Sequence, residues 1–178
     1  MEENSTGWVP DNSGVMRATE RQEWYGQAQD QVASLIENDP GGDAFWYRCL
    51  SEFRPEAFDS DGRLNALNQG SIGSCVGVAT ARLIDHLQAI DICVRKDNET
   101  FCDLVSPEWC YATGRESGGM LGRGDGSTNT GQLKALQDFG VLFQRKYGDF
   151  DLRKYSIELC RVWGRWGVPD ELKPEGRE

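Results

Sequence analysis

The sequence predicts a domain built mainly of helices. Apolar residues recur at helical spacing between Ser74 and Ile92, and two shorter helices have clear start signals at Ser106-Pro107 and at Asn129. The tail from Tyr147 to Glu178 shows one partial helix, a proline-containing loop and no clear strand ladder. A chain of 178 residues with 38% hydrophobic content can bury one core, so we expect one globular domain with an added N-terminal segment.

The N-terminal part of the chain divides at Thr19. Residues 1–18 are polar and show no periodicity, which predicts a disordered or loosely attached arm. Residues 19–54 are expected to hold an amphipathic helix and a connector, because Thr19 and Gln22 form a capping box before apolar residues at helical spacing. From Ala44 to Asn68 apolar clusters alternate with turn residues, which predicts mostly extended or loop structure.

The central helices follow from periodicity and capping signals. The helix from Ser74 to Ile92 is expected to turn one apolar stripe to the core, namely Val76, Ala79, Leu83, Leu87 and Ile90, widened by Ala81 and Ile84. Ser106 caps the next helix, and a glycine-rich loop from Gly118 to Gly126 follows it. Asn129 and Gln132 form a capping box for a helix that ends at Gly140.

Charge and cysteine content exclude several classes of function. A net charge of -10 argues against nucleic acid and anionic membranes as partners, because both surfaces would repel the chain. No signal peptide and no run of about 18 apolar residues is visible, so we expect a cytoplasmic protein without a membrane span. The six cysteines form no CxxC pair, so we expect free thiols and neither a metal site nor a cofactor.

The run that ends at Cys75 has the residues of an acyl-transfer site. Cys75 falls in the first turn of the predicted helix, where backbone N–H groups and the helix dipole favour a thiolate. Gly70 and Gly73 allow a peptide to approach the backbone, and Gln69 can direct an amide donor at a developing oxyanion. The alternative is a cysteine that serves as a small buried apolar residue, the usual role of an isolated cysteine.

This run resembles the NQGxCGSCW signature of the papain family of cysteine peptidases. Six positions are in register: Asn68, Gln69, Gly70, Gly73, Ser74 and Cys75. The resemblance implies that Cys75 is the nucleophile, and that the Gln69 side chain and the Cys75 backbone N–H hold the oxyanion. It also implies a peptide or protein substrate.

The resemblance extends from Pro55 to about Tyr147. The segment 55–59 is similar to the start of mature papain-like enzymes, and 105–109 is similar to the family's "LSPQ" helix start. The segment 126–141 is similar to the stretch that leads from the substrate-binding glycines into the next helix. Residues 55–178 are therefore identified as a partial papain-like catalytic domain, with four residues expected at the substrate: Gly73, Ser74, Gly126 and Ser127.

Two departures concern the surroundings of the thiol. Many family members have a disulfide cysteine where this chain has Ile72, and the position of the partner cysteine falls on or near Gly124. The absence of both cysteines fits a reducing compartment and a bacterial or viral type of member. Val76 replaces the tryptophan that usually follows the nucleophile.

The chain lacks a histidine that could act as the catalytic base. Its one histidine, His86, lies 11 residues beyond Cys75 on the same predicted helix, roughly 16 Å along the axis. In the family, the histidine and its asparagine come from a β-rich half well over a hundred residues after the nucleophile. The resemblance therefore implies an α+β papain-like fold in which mainly the helical half is present and the β-rich, histidine-bearing half is largely missing.

Two interpretations remain open at this stage. In the first, the chain is an N-terminal part of a cysteine peptidase, and a downstream segment or a second chain supplies the histidine and asparagine. In the second, it is a catalytically inactive papain-fold protein with a binding or structural role, such as a virion or assembly component. The acidic first fifty residues would then serve as a docking arm.

Overall fold

The computed structural model describes residues 46–177. Within this range the helices are α1 (Trp46–Phe53), α2 (Cys75–Cys93), α3 (Pro107–Ser117), α4 (Asn129–Phe139) and α5 (Ile157–Trp166). Short 3-10 turns occur at Pro55–Ala57, Asp170–Leu172 and Glu175–Arg177. The predicted arm of residues 1–18 and the predicted helix that begins at Thr19 lie outside the described residues.

One small sheet accompanies the helices. Strands β1 (Lys146–Tyr147) and β2 (Phe150–Asp151) pair antiparallel as a hairpin. The fold of the described part is therefore α+β, with helices predominating, as the sequence predicted at this coarse level. No helix in residues 46–177 combines the length and the apolar character needed to cross a membrane.

Helix α3 lies at the centre of the fold and packs against α2, α4 and α5. Every residue from 107 to 115 is buried. Its start is as predicted, since the Ser106 hydroxyl accepts a hydrogen bond from the Trp109 N–H at 3.2 Å. Trp109 is fully buried in a core with Leu142, Leu152 and Trp163, so α3 joins the hairpin region and α5 into one unit.

The prediction for the buried face of α2 was wrong in part: Val76 and Ala81 are buried as predicted, but Ala79 is exposed. Leu83 and Leu87 are exposed, at 59% and 42% of their surface, while the buried face consists mainly of small residues. The reason is the close approach of α3: a Cβ on Gly77 would lie 2.6 Å from the Cα of Tyr111. A face of large side chains could not pack at that distance, which explains why Leu83 and Leu87 lie outside this contact.

A buried carboxylate joins α2 to the segment before α3. Asp85 is fully buried and accepts a hydrogen bond from the Val105 N–H at 2.7 Å. Arg82, one turn earlier on α2, donates to its other oxygen at 3.1 Å. Burial raises the pKa of Asp85 to about 6, although both partners favour the charged form.

Two further predictions need correction. The capping box at Asn129 was placed one residue late: Thr128 is the N-cap, and its hydroxyl accepts from the Gly131 N–H at 3.0 Å. The segment 44–68, predicted as mostly extended or loop, contains α1 and the 3-10 turn at Pro55–Ala57. Helix α1 is held by its fully buried Leu50, which packs with Ala89 of α2, a tertiary contact that an eight-residue pattern does not reveal.

Other boundaries agree with the sequence. Gly140 ends α4 with φ +65°, a left-handed conformation that favours glycine, and its N–H donates to the Leu136 carbonyl. The tail holds a single α-helix, α5, followed by a loop that contains Pro169 and Pro174.

Candidate active site

Cys75 is the first residue of α2 and is partly exposed. Ser74 occupies the N-cap position, but its side chain makes no hydrogen bond to the helix. The first N–H groups of α2 therefore have no side-chain cap, and they lie next to the thiol. Unpaired N–H groups at a helix start favour a negative charge nearby.

The segment of residues 68–74, here called the Cys75 loop, is shaped by its own polar groups. Gly70 has φ +68° and its N–H donates to Asn68 Oδ1 at 2.9 Å. A Cβ there would lie 2.3 Å from Ile157 Cδ1, so α5 packs directly on this glycine. Gln69 Nε2 donates to the Ile72 carbonyl at 3.0 Å, which uses one of its two N–H groups within the loop.

Tyr155 supports the Cys75 loop from the side of α5. Its hydroxyl donates to the Gln69 carbonyl at 3.2 Å and hydrogen-bonds with Ser74 Oγ at 2.9 Å. Burial raises the pKa of Tyr155, so the hydroxyl keeps its proton at neutral pH. Ser74 is fully buried, and its side chain therefore stabilises the loop from within the protein.

Asp125 connects the Cys75 loop to the glycine loop, residues 118–126. The Gly73 N–H donates to Asp125 Oδ2 at 2.6 Å, and the Gly126 N–H donates to Oδ1 at 2.9 Å. The Tyr111 hydroxyl of α3 also donates to Oδ1, at 2.5 Å. One carboxylate thus fixes two predicted substrate-binding glycines relative to each other.

Arg115 holds the glycine loop in place. It is 2% exposed, and its guanidinium donates only to backbone carbonyls in the hydrogen bonds it makes. Those carbonyls belong to Met120, Arg123, Gly124, Gly126 and Gly164. Because α3 supplies the arginine and α5 supplies one of the carbonyls, the loop is tied to both helices.

The structure brings most of the predicted site residues together. Gln69, Gly73 and Ser74 lie in the loop before Cys75, and Gly126 is joined to it through Asp125. Ser127 is fully buried and accepts a hydrogen bond from Gln132 Nε2 at 3.3 Å, so its side chain contacts α4. The sequence analysis missed three supporting residues: Tyr155, Asp125 and Arg115.

His86 lies on the same continuous helix as Cys75, so the 11-residue separation corresponds to roughly 16 Å. Burial, together with the positive charge of Arg82, lowers the pKa of His86, and the ring is neutral at pH 7. This imidazole cannot exchange a proton directly with the thiol. In residues 46–177, no cluster of three or more His, Cys, Asp or Glu side chains could hold a metal ion.

All six cysteines are free thiols, but their surroundings differ. Burial raises the pKa of Cys160 to about 12 and that of Cys93 to about 11, and it also raises the pKa of the fully buried Cys110. These three thiols stay protonated and unreactive at neutral pH. Cys75 differs from them in its place at an uncapped helix start.

Comparison with known proteins gives no relative: no protein-family model, no curated protein and no solved structure matches the chain.

Proposed function

We propose that the chain is the nucleophile-bearing part of a papain-like cysteine peptidase. The observation that carries the proposal is the hydrogen bond between the Gly73 N–H and Asp125. It supports the resemblance because Ile72 and Gly124, which precede Gly73 and Asp125 in sequence and match the positions of the family's disulfide, line one pocket. The similarity in sequence and the proximity in space are independent observations.

Peptide hydrolysis at this site proceeds in two stages. The Cys75 thiolate attacks the scissile carbonyl carbon, a C–S bond forms, and the carbonyl electrons move to the oxygen. The second N–H of Gln69 and the backbone N–H of Cys75 stabilise that oxyanion. The C–N bond then breaks as an imidazolium protonates the leaving amine, and water hydrolyses the thioester with the imidazole as base.

The imidazole for these steps comes from outside the 178 residues, on a downstream segment or a second chain. Cys75, Ala79, Leu83 and Leu87 follow one another at i, i+4 spacing and form one row on α2. Ala79, Leu83 and Leu87 are exposed. A histidine-bearing element that packs along this row reaches the thiol at its end.

A catalytically inactive binding or structural protein is the second candidate. Two observations favour it: Gln69 Nε2 is engaged by the Ile72 carbonyl, and the chain's one imidazole is roughly 16 Å from the thiol. In that case the loops around Cys75 hold a peptide without cleaving it.

Chemical rescue with free imidazole separates the two candidates. Mixing the protein with p-nitrophenyl acetate and imidazole is expected to give a burst of about one p-nitrophenolate per chain, with the acetyl group found on Cys75 by peptide mass mapping. Gln69→Ala is expected to slow the burst by roughly 10 to 100-fold, since it removes an oxyanion donor. Gln69→Glu removes the same N–H donor while the size of the side chain stays nearly unchanged.

Cys102 provides the matched control, because it is an exposed cysteine in a loop. Cys75→Ala is expected to abolish the burst, whereas Cys102→Ser leaves it unchanged. Acetylation that is equal at both thiols and insensitive to Gln69→Ala would overturn the peptidase proposal and favour the inactive protein.

A further inference from the structure

A pocket of about 440 Å³ opens to solvent beside the Cys75 loop. The Cys75 loop contributes Ser71 and Ile72, the glycine loop contributes Arg123 and Gly124, and α5 contributes Arg161 and Arg165. Tyr111, Arg115 and Cys160 also line the pocket. Four separate parts of the chain, namely the Cys75 loop, α3, the glycine loop and α5, therefore converge on it.

The pocket is strongly basic within an acidic protein. It collects four of the chain's 19 lysine and arginine residues. Among the described residues that line it, the one acidic side chain is Asp125, whose oxygens accept from Gly73, Gly126 and Tyr111. A net charge of -10 repels an acidic ligand from most of the surface, so binding of such a ligand depends on this local excess of arginine.

The four arginines have different roles. Arg115 is committed to backbone carbonyls, whereas Arg123, Arg161 and Arg165 are exposed. Arg165 lies over the ring of Trp166 at 5.0 Å from the centroid, a contact that orders a guanidinium while its N–H edge stays accessible. Arg161 donates to Ser71 Oγ at 2.9 Å, which holds its side chain against the Cys75 loop, and it forms an exposed ion pair with Glu158 at 3.7 Å.

The pocket lies close enough to the Cys75 thiol for one peptide to reach both. Ile72 lines it and lies three residues before Cys75, so their Cα atoms are at most about 11 Å apart. An extended peptide advances roughly 3.3 Å per residue, so a peptide at Cys75 reaches the pocket with a side chain about three residues away. The occupant that fits both position and charge is an acidic residue of a bound peptide.

We propose that this pocket binds an Asp or Glu side chain of the peptide substrate, about three residues from the scissile bond. The arginines make charge-assisted hydrogen bonds to the carboxylate, in the fork geometry that guanidinium groups favour. The inference rests on the proposed function in one respect: it takes the bound peptide to be a substrate. Binding itself requires no chemistry at Cys75 and is tested without it.

The test uses fluorescence anisotropy with the Cys75→Ala protein, which cannot cleave. Two peptide mixtures that carry an uncharged fluorophore are compared. Both have blocked ends and a random sequence without Asp or Glu, except for one fixed residue, Glu or Gln. The blocked ends remove terminal carboxylates as a second source of the ligand. The Glu mixture is expected to bind at least tenfold more tightly, with an advantage that shrinks as salt is raised.

The matched variants are Arg161→Gln with Arg165→Gln, and Arg153→Gln as the control. Arg153 is also exposed, but it lies beyond β2 and pairs with Asp151. The double variant is expected to abolish the preference for Glu, while the control keeps it and all variants melt at the temperature of the parent. Equal affinity for both mixtures, or an equal loss in the Arg153 control, would overturn the proposal.

The outcome of the peptide-binding test can be distinguished from the outcome of the acylation test of the proposed function. A preference for Glu that depends on Arg161 and Arg165, together with a Cys75 that forms no acyl adduct, supports the pocket and contradicts the peptidase. Acylation of Cys75 without any preference for Glu contradicts the pocket alone.

Discussion

The backbone N–H of Gly73 donates a hydrogen bond to Asp125 Oδ2 at 2.6 Å, which joins two loops that are 52 residues apart in sequence. A hydrogen bond to a charged group contributes about 1.5 to 3 kcal/mol, whereas a disulfide typically contributes 2 to 4 kcal/mol. The carboxylate can therefore stabilise the contact of the two loops to an extent comparable with a covalent cross-link, and it needs no oxidising environment.

Asp125→Ala tests the link between the loops. The change leaves the N–H groups of Gly73 and Gly126 and the Tyr111 hydroxyl without their carboxylate, so the free energy of unfolding is expected to fall by about 2 to 4 kcal/mol. Cleavage by a nonspecific protease is expected to concentrate in residues 68–73. Urea denaturation and mass mapping of the digest measure the two effects.

Asp149→Ala is the control for that experiment, because Asp149 is an exposed residue in the turn of the hairpin. Its unfolding free energy is expected to change by less than about 0.5 kcal/mol. Equal stability of the Asp125→Ala and Asp149→Ala proteins would mean that the carboxylate does not hold the loops.

Gly77→Ala tests the close contact of α2 and α3. Alanine normally stabilises a helix interior relative to glycine by roughly 0.5 to 1 kcal/mol. At Gly77 the sign is expected to reverse, with a loss of about 1 to 3 kcal/mol, because the new methyl group meets the Tyr111 backbone at 2.6 Å. Thermal denaturation measures the change.

Gly124→Ala is the matched control, since a Cβ at that position meets nothing within 4 Å. It is expected to leave the melting temperature nearly unchanged. A Gly77→Ala protein more stable than the parent would show that the two helices do not approach as closely as described.

Asp85→Asn tests the buried carboxylate through pH. The pKa of Asp85 in the folded protein is about 6, above its ordinary value of 3.8, so the folded state binds the proton more tightly than the unfolded state. The contribution of this group to stability is therefore full below pH 4 and is lost as pH rises through 6, a change of roughly 2 to 3 kcal/mol.

In the Asp85→Asn protein that change is expected to vanish, so the difference in unfolding free energy between parent and variant varies with pH between 4 and 6. Urea titrations at several pH values measure it. The charged and titratable groups that face this carboxylate are the same in both proteins, so they do not account for the difference. They are Arg82, Arg54 and Cys110. A difference that is constant across this range would contradict the account of Asp85.

Leu83→Asn and Leu87→Asn test the exposed row on α2. Because both leucines are exposed, the double variant is expected to lose less than about 1 kcal/mol of stability. Ala81→Leu, on the buried face of the same helix, is expected to lose several times more. Equal losses in the two proteins would indicate that the leucines are buried and not available to a histidine-bearing element.

Local signals in the sequence predicted much of the helical structure. The start of α3 and the end of α4 follow from Ser106 and Gly140, because capping and backbone conformation depend on neighbouring residues. The buried face of α2 could not be predicted in this way. The stripe of large apolar residues indicated one face, but the fit of Gly77 against Tyr111 depends on which helix packs there.

The candidate site also combines features that depend on local sequence with features that depend on tertiary contacts. Cys75, Gln69 and Gly73 lie within one short run of the sequence, and they were predicted from the resemblance of that run to a family signature. Asp125 and Tyr155 contact that motif from 52 and 81 residues later in the sequence, through hydrogen bonds that only the folded chain creates. A single acidic residue between glycines, and a tyrosine before a predicted helix, carry no signal of such contacts.

The claim that Cys75 is a nucleophile position is tested most directly by its rate of alkylation. Limiting iodoacetamide at pH 6.5, followed by peptide mass mapping, compares Cys75 with the exposed Cys102 in the same molecule. Unpaired N–H groups at a helix start favour negative charge nearby, so Cys75 is expected to react about tenfold faster than Cys102. Reaction of Cys75 at the rate of Cys102, or more slowly, would contradict the account.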